Sequence, residues 1–148
     1  MVSIVIDGKK VEVEEGKTIL DVAKDMGIEI PTLCYHPMIK PYSACRLCVV
    51  EVTTNGIIKI TASCSTEVED GMSIKTDSLR VMNVRKLVAE LLLGRAPGVE
   101  KIREIAKKLG VEKSRFAEEK EERCILCGLC VRACEDVVGV SAISFINR

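Results

Sequence analysis

The apolar and polar positions of this chain follow two different periods, and each period predicts one kind of element. Short β-branched segments with a period near two are found at residues 3–6, 10–13, 49–53 and 57–60. Such segments are typical of half-buried β-strands. Asp7-Gly8 separates the first two segments and Asn55-Gly56 separates the last two, so the sequence predicts two hairpins with two-residue turns. A further strand, from Gly71 to Thr76, is expected to close the sheet.

The second period is helical and predicts three amphipathic helices. They cover residues 19–26, 79–93 and 99–109, and the glycines expected to end them are Gly27, Gly94 and Gly110. Thr18 can cap the first helix, and Asp77 or Ser78 can cap the second. The expected buried face of the second helix consists of Val81, Val84, Val88, Leu91 and Leu92. Residues 142–146 predict a short final strand, and the polar stretch 114–123 predicts a solvated connector.

The composition of the whole chain narrows the class of protein. The 148 residues are 47% hydrophobic with no Trp, two Phe and two Tyr, so the core must be aliphatic. Lys plus Arg and Asp plus Glu number 22 each, and this neutral balance argues against nucleic-acid binding. The N-terminus lacks a secretory pattern and no apolar run is long enough to span a bilayer, so a cytoplasmic location is expected. In that setting eight thiols are expected to be metal ligands, with a disulfide scaffold as the alternative.

The first set of four cysteines predicts a [2Fe–2S] cluster. It comprises Cys34, Cys45, Cys48 and Cys64, spaced C-x10-C-x2-C-x15-C. A two-iron rhomb needs two thiolates on each iron, and the small residues Ser43 and Ala44 allow backbone N–H groups to approach the sulfurs. A zinc site is a rival on spacing alone, although structural zinc sites usually offer two close pairs and this set has one. His36, the single histidine, is expected to hydrogen-bond or pack rather than to bind metal.

The second set of four cysteines predicts a [4Fe–4S] cluster. It comprises Cys124, Cys127, Cys130 and Cys134, spaced C-x2-C-x2-C-x3-C as in bacterial ferredoxins. Gly128 permits a close turn around the sulfurs. In two-cluster ferredoxins the fourth cysteine of such a run binds the other cluster, so three arrangements are open for Cys134. It completes its own cubane, or a ligand arrives from elsewhere, or the chain has a continuation.

The residues around the first set resemble a known family. The segments that carry the resemblance are Leu33 to Pro37, Ala44 to Val52 and Ala62 to Cys64, and the likeness extends over residues 1–93. They are similar to the N-terminal iron–sulfur region shared by the NADH dehydrogenase large iron–sulfur subunit, [FeFe] hydrogenases and NAD-linked formate dehydrogenase subunits. The resemblance implies an α+β fold, a ferredoxin-like β-grasp domain with its [2Fe–2S] cluster in a surface loop.

The second set resembles the first half of the double-cubane domain in the same family. Glu135 stands where ferredoxins usually have proline, and the histidine-plus-three-cysteine centre that family members place after the long helix has no counterpart here. The expected organisation is a [2Fe–2S] β-grasp domain, a helical connector and a [4Fe–4S] half-ferredoxin segment, over residues 1–77, 78–113 and 114–148.

This resemblance implies a small electron-transfer subunit of a multisubunit hydrogenase or dehydrogenase. Its expected partners are a flavin- and NAD(P)-binding subunit and a hydrogenase or formate dehydrogenase subunit. The chain contains no G-x-G-x-x-G and no acid–base pair, so no turnover by the chain alone is expected. The alternatives are a freely diffusing two-cluster ferredoxin, a zinc-binding interaction module and a stand-alone reductase.

Overall fold

A five-stranded mixed sheet is the centre of the computed structural model, which describes residues 1–116 and 123–146. The strands are β1 (Val2–Ile6), β2 (Lys9–Val13), β3 (Val49–Thr54), β4 (Ile57–Ala62) and β5 (Ser73–Lys75), in the order β2-β1-β5-β3-β4. The helices are α1 (Ile19–Asp25), α2 (Leu79–Arg95), α3 (Glu100–Lys108) and α4 (Leu129–Arg132), and a π-helical turn follows over Ala133–Val138. The predicted α+β class is confirmed.

Both predicted hairpins are present, and their turns have the geometry that the sequence indicates. The φ angles are 47° at Asp7, 80° at Gly8, 51° at Asn55 and 77° at Gly56. Positive φ at both central residues defines a type I′ turn, whose twist matches that of the flanking strands. The hairpin register is therefore set locally, by two residues in each case.

The strand β5 joins the two hairpins from the middle of the sheet. It runs parallel to β1, with Val5 opposite Ser73, and antiparallel to β3, with Thr53 opposite Ser73. Asp7 stabilises the end of this junction, because its carboxylate accepts hydrogen bonds from Thr76 N at 2.8 Å and Thr76 Oγ1 at 2.6 Å. The segment that was expected to close the sheet thus lies at its centre.

Helix α1 packs on the sheet and forms the first apolar core with it. Thr18 caps the helix as predicted, since its Oγ1 accepts a hydrogen bond from Asp21 N and Asp21 Oδ2 accepts one from Thr18 N, both at 3.2 Å. This capping box satisfies N–H groups that helix geometry leaves unpaired. The side chains that are almost fully buried in this core include Ile4, Ile6, Ile19, Leu20, Val22, Val50 and Ile74. Burial of each contributes about 1.5–3 kcal/mol.

Helix α2 is longer than predicted and buries a different face. It ends at Arg95, so the expected end at Gly94 is wrong, and Gly94 is itself buried inside the helix. The buried residues are Val81, Arg85, Ala89, Leu93 and Gly94. Leu91, which was expected in the buried face, is 48% exposed, whereas Arg85 is only 4% exposed. The helical pattern excluded Arg85 because a charged residue is rarely buried without a partner.

Helices α2 and α3 form a second apolar core with one of the cysteine loops. Its buried members are Leu47, Ala89, Leu93, Ala96, Ile102, Ile105, Ala106, Leu109 and Val111. Helix α3 ends before Gly110, as predicted, where φ is 73°. Leu47 lies between Cys45 and Cys48, so the helical pair packs directly against the loop that carries the first cysteine set.

The last segment contains α4, the π-helical turn and irregular backbone. The strand predicted over residues 142–146 is wrong, since no strand occurs in the part of this segment that the structure describes, residues 123–146. Ile143 and Ile146 are 50% and 85% exposed, and an alternating pattern forms a strand only beside a strand with which it can pair. Residues 117–122 of the predicted connector lie outside the described residues. Within the described ranges, none of the helices has the length and apolarity needed to cross a membrane.

Candidate metal centres

The loop between α1 and β3, with the end of β4, carries the first cysteine set. Its thiols are buried at Cys34, Cys48 and Cys64 and partly buried at Cys45. Tyr35 ties this loop to α1, because its hydroxyl donates to Asp21 Oδ1 at 3.4 Å and Lys24 Nζ lies 3.8 Å from the centroid of its ring. The loop is therefore held by α1 on one side and by the second core on the other.

The four thiols of this set interact as two pairs. A hydrogen bond between the side chains of Cys34 and Cys45 raises the pKa of Cys34 and lowers the pKa of Cys45. A second one, between Cys48 and Cys64, raises the pKa of Cys48 and lowers that of Cys64. Each pair thus brings two sulfurs close enough to shift each other's pKa in opposite directions. Cys45 also interacts electrostatically with Cys48 and Cys64, so both pairs border one common space.

Backbone N–H groups point at the same sulfurs, as the sequence predicted for the stretch around Ser43 and Ala44. Cys45 N donates to Cys34 Sγ at 3.4 Å, and the backbone of Ala44 hydrogen-bonds to the same sulfur. Ser43 contributes both its backbone and its hydroxyl, whose Oγ lies 3.6 Å from Cys64 Sγ. Such donors stabilise negative charge on sulfur, and they help to set the reduction potential of a bound cluster.

Both cysteine loops bend through residues in the left-handed region. The φ angles are 56° at Ser43, 55° at Arg46, 55° at Leu126 and 76° at Gly128. For a residue other than glycine this conformation costs roughly 1–2 kcal/mol. Turns of this kind direct successive N–H groups into one concavity, which is a form of anion site used around iron–sulfur clusters. The sequence pattern indicated only the turn at the glycine.

Two further side chains lie beside the first set. Arg85 Nη2 donates to Val49 O at 2.7 Å, and its charge interacts with Cys48. Burial lowers the pKa of Arg85, and Cys48 opposes that shift. His36 Nδ1 accepts a hydrogen bond from Met38 N at 3.3 Å, so this ring has the local hydrogen-bonding role that the sequence predicted. The role of Arg85 was missed, and its place in an otherwise apolar helix face was the signal that could have revealed it.

The second cysteine set lies on the surface except at its last member. Cys124 and Cys130 are exposed, Cys127 is partly buried and Cys134 is buried. Cys134 is covered by the backbone that follows, because its Sγ accepts a hydrogen bond from Ala142 N at 3.2 Å. At Gly128 a Cβ atom would approach the Phe145 ring to 3.4 Å, so this turn is both left-handed and closely packed.

The donor set of the first site fits a two-iron cluster. Across residues 1–116 and 123–146, no three Cys, His, Asp or Glu side chains form a group that could hold one metal ion. The thiols of the first set instead lie in two pairs, Cys34 with Cys45 and Cys48 with Cys64. A [2Fe–2S] rhomb takes two thiolates on each iron. The N–H groups around these sulfurs suit an anionic group.

Comparison with protein families agrees with this donor pattern. Residues 1–78 match the family described as the 2Fe-2S iron-sulfur cluster binding domain. The chain belongs to this family. The family resemblance drawn from the first cysteine set and its flanking residues is confirmed, and the match supports the type of cluster predicted for the first site.

Relatives of this 2Fe-2S domain protein are larger. It is 36% identical over 177 residues to the NADP-reducing hydrogenase subunit HndD of Solidesulfovibrio fructosivorans, with 100% of this chain and 30% of that protein covered. It is 32% identical over 173 residues to the mitochondrial NADH-ubiquinone oxidoreductase 78 kDa subunit of Candida albicans, with 99% of this chain and 24% of that protein covered. The chain thus spans less than a third of the length of these curated relatives.

A solved structure has the same fold. The crystal structure of an NAD+-reducing [NiFe]-hydrogenase in the H2-reduced state contains a chain that superposes with a TM-score of 0.83 at 31% identity. The match covers 99% of this chain and 71% of that chain. The similarity therefore includes the helical region and the second cysteine set as well as the sheet.

Proposed function

We propose that this 2Fe-2S domain protein is a non-catalytic electron-transfer subunit. It connects a flavoprotein subunit that handles NAD(H) or NADP(H) with a hydrogenase or dehydrogenase subunit. The observation that carries the proposal is the two-by-two arrangement of the four thiols in the first set. An iron–sulfur cluster, when bound, accepts and releases single electrons. The relatives named as subunits of an NADP-reducing hydrogenase and an NADH-ubiquinone oxidoreductase support this choice of partners.

In this proposal each cysteine set holds one cluster. Cys34, Cys45, Cys48 and Cys64 hold the [2Fe–2S] cluster, with one thiol pair for each iron. Cys124, Cys127, Cys130 and Cys134 hold a [4Fe–4S] cluster, and the C-x2-C-x2-C-x3-C spacing supports this assignment. The domain division follows the sites, with residues 1–77 around the first, 78–113 as helical connector and 114–148 around the second.

The other residues of the sites hold the sulfurs and control their surroundings. Burial of Cys34, Cys48 and Cys64 excludes water from the first site. The N–H groups of Ala44 and Cys45 orient the Cys34 sulfur and stabilise its negative charge. Thiols must be deprotonated to bind metal, so loading is favoured at higher pH.

Anaerobic purification followed by metal and sulfide analysis tests the proposal. We expect a brown protein with about six irons, one rhomb and one cubane, and two electron paramagnetic resonance (EPR) signals after reduction. NADH should reduce both centres only when a flavoprotein such as a diaphorase is added. As a control, the same assay uses protein whose clusters have been removed by a chelator.

The alternatives give different results in the same assays. A colourless protein that contains zinc would establish the interaction module and refute the relay. Steady reduction of a dye by NADH without any flavoprotein would instead establish a stand-alone reductase. Stable co-purification with the two partner subunits is expected for a fixed subunit, and its absence would favour a diffusing ferredoxin.

A further inference from the structure

One side chain links the two cysteine sets across most of the chain. Arg132 lies on α4, between Cys130 and Cys134, and its Nη2 donates to Cys34 O at 2.8 Å. Its Nη1 donates to the carbonyl oxygen of Lys40 in the same loop. The guanidinium carbon lies 5.1 Å from the centroid of the Tyr42 ring. A residue of the second site thus makes three contacts with the loop of the first.

The geometry of these contacts suits arginine and not lysine. Two Nη groups of one planar guanidinium bind two backbone carbonyls, and the plane packs over an aromatic ring. A lysine ammonium is a point donor without this fork. The carbonyl of Cys34 belongs to a residue of the first thiol set, so the positive charge of Arg132 lies at the edge of that site.

The same guanidinium also borders the second loop. A Cβ atom on Gly128 would lie 3.7 Å from Arg132 Nε, and this Nε is buried without a hydrogen-bond partner in the described part of the chain. Both loops also pack on the second core, since Leu47 of the first loop is one of its buried members and Ile125 of the second loop packs against it. The two loops therefore meet through Arg132, and they share the second core as a common support.

We propose that Arg132 is a positioning residue that couples the two metal centres. It holds the second cysteine loop against the first and places a permanent positive charge beside Cys34. This inference rests on the proposed function, because its electronic part concerns bound clusters. Reduction adds negative charge to a cluster, so the cation favours the reduced form of the first centre. Arg132 thereby sets both the mutual placement of the centres and part of the potential difference between them.

Two variants separate charge from geometry in the full, anaerobically loaded chain. Arg132→Gln removes the charge, and Arg132→Lys keeps the charge but loses the fork. Arg80→Gln, on the exposed start of α2, is the matched control. We expect the midpoint potential of the [2Fe–2S] centre to become more negative in Arg132→Gln and to stay near wild type in Arg132→Lys and Arg80→Gln.

Hydrogen exchange followed by mass spectrometry reports the geometric part. In both Arg132 variants, the amides of residues 34–42 and of residues 123–135 should both exchange faster than in the wild type. The expected increase is about tenfold or more, which corresponds to the loss of one hydrogen bond from a charged donor. An unchanged potential in fully loaded Arg132→Gln, or faster exchange in only one of the two segments, overturns the inference. Wild-type protein without iron and sulfide would refute the proposed function instead, and the exchange comparison would still test the junction.

Discussion

Replacing Arg85 by methionine removes the buried cation next to the first cysteine set. Arg85 Nη2 donates to Val49 O at 2.7 Å. The carbonyl oxygen of Cys48 accepts a hydrogen bond from Ser63 N and so faces β4. Successive residues of an antiparallel strand direct their carbonyls to opposite sides, so the Val49 carbonyl points away from β4. On its other side β3 pairs with β5 only from Glu51 to Thr53, so that carbonyl depends on Arg85.

The size of the effect follows from two opposing contributions. Loss of a hydrogen bond from a charged donor to a buried carbonyl costs about 1.5–3 kcal/mol. Methionine avoids the cost of burying a guanidinium, a cost seen in the lowered pKa of Arg85, and its similar volume leaves little cavity. We therefore expect Arg85→Met to lower the free energy of unfolding by about 1–2 kcal/mol, which for a chain of this size lowers Tm by about 3–6 °C.

Thermal unfolding of the iron-loaded protein by circular dichroism measures this change. Redox titration of the same samples should show a more negative [2Fe–2S] potential in Arg85→Met, because the charge that interacts with Cys48 is gone. Arg85→Lys keeps the charge, so the midpoint potential of its [2Fe–2S] centre should stay close to that of the wild type. Arg80→Met is the exposed control on the same helix. If Arg85→Met matches wild type in both Tm and potential, the reasoning about this buried cation is wrong.

Four further substitutions test the sites and the scaffold. Cys48→Ser should abolish the [2Fe–2S] EPR signal and leave the [4Fe–4S] signal unchanged, and Cys127→Ser should do the reverse. Loss of both signals from either substitution would contradict two separate sites. Thr18→Ala should cost about 1 kcal/mol in urea unfolding through loss of the α1 cap, and an unchanged midpoint would argue against the capping box. Gly128→Ala should cost about 1–2 kcal/mol through its positive φ and lower the cubane iron content, and full loading would count against a tightly packed turn.

The elements of the sheet domain were predictable because local signals determine them. Two turn dipeptides set both hairpins, and Thr18 set the start of α1. The place of β5 was not predictable from residues 71–76, since the pairing of a short strand depends on distant partners. The prediction of a strand over residues 142–146 was wrong for the same reason, because an alternating pattern of apolar and polar residues does not indicate whether a neighbouring strand is available.

The grouping of the cysteines could be predicted from spacing, but their surroundings could not. Arg85 interrupts an apolar face, and only the fold shows that a strand carbonyl beneath it needs a donor. Arg132 occupies one of the spacer positions between cysteines, and its partners lie 92 and 98 residues earlier in the chain. The left-handed turns at Arg46 and Leu126 carry no glycine to mark them.

The position of β5 also affects how this protein is made. The β1–β2 and β3–β4 ribbons are joined through β5, which leaves the ribosome after both of them. Isolated two-stranded ribbons are marginally stable in water, so the nascent chain has no finished sheet until residue 75 has emerged. All the thiols from Cys34 to Cys64 are synthesised before that point. These thiols therefore lack the buried surroundings of the folded domain throughout that interval of translation.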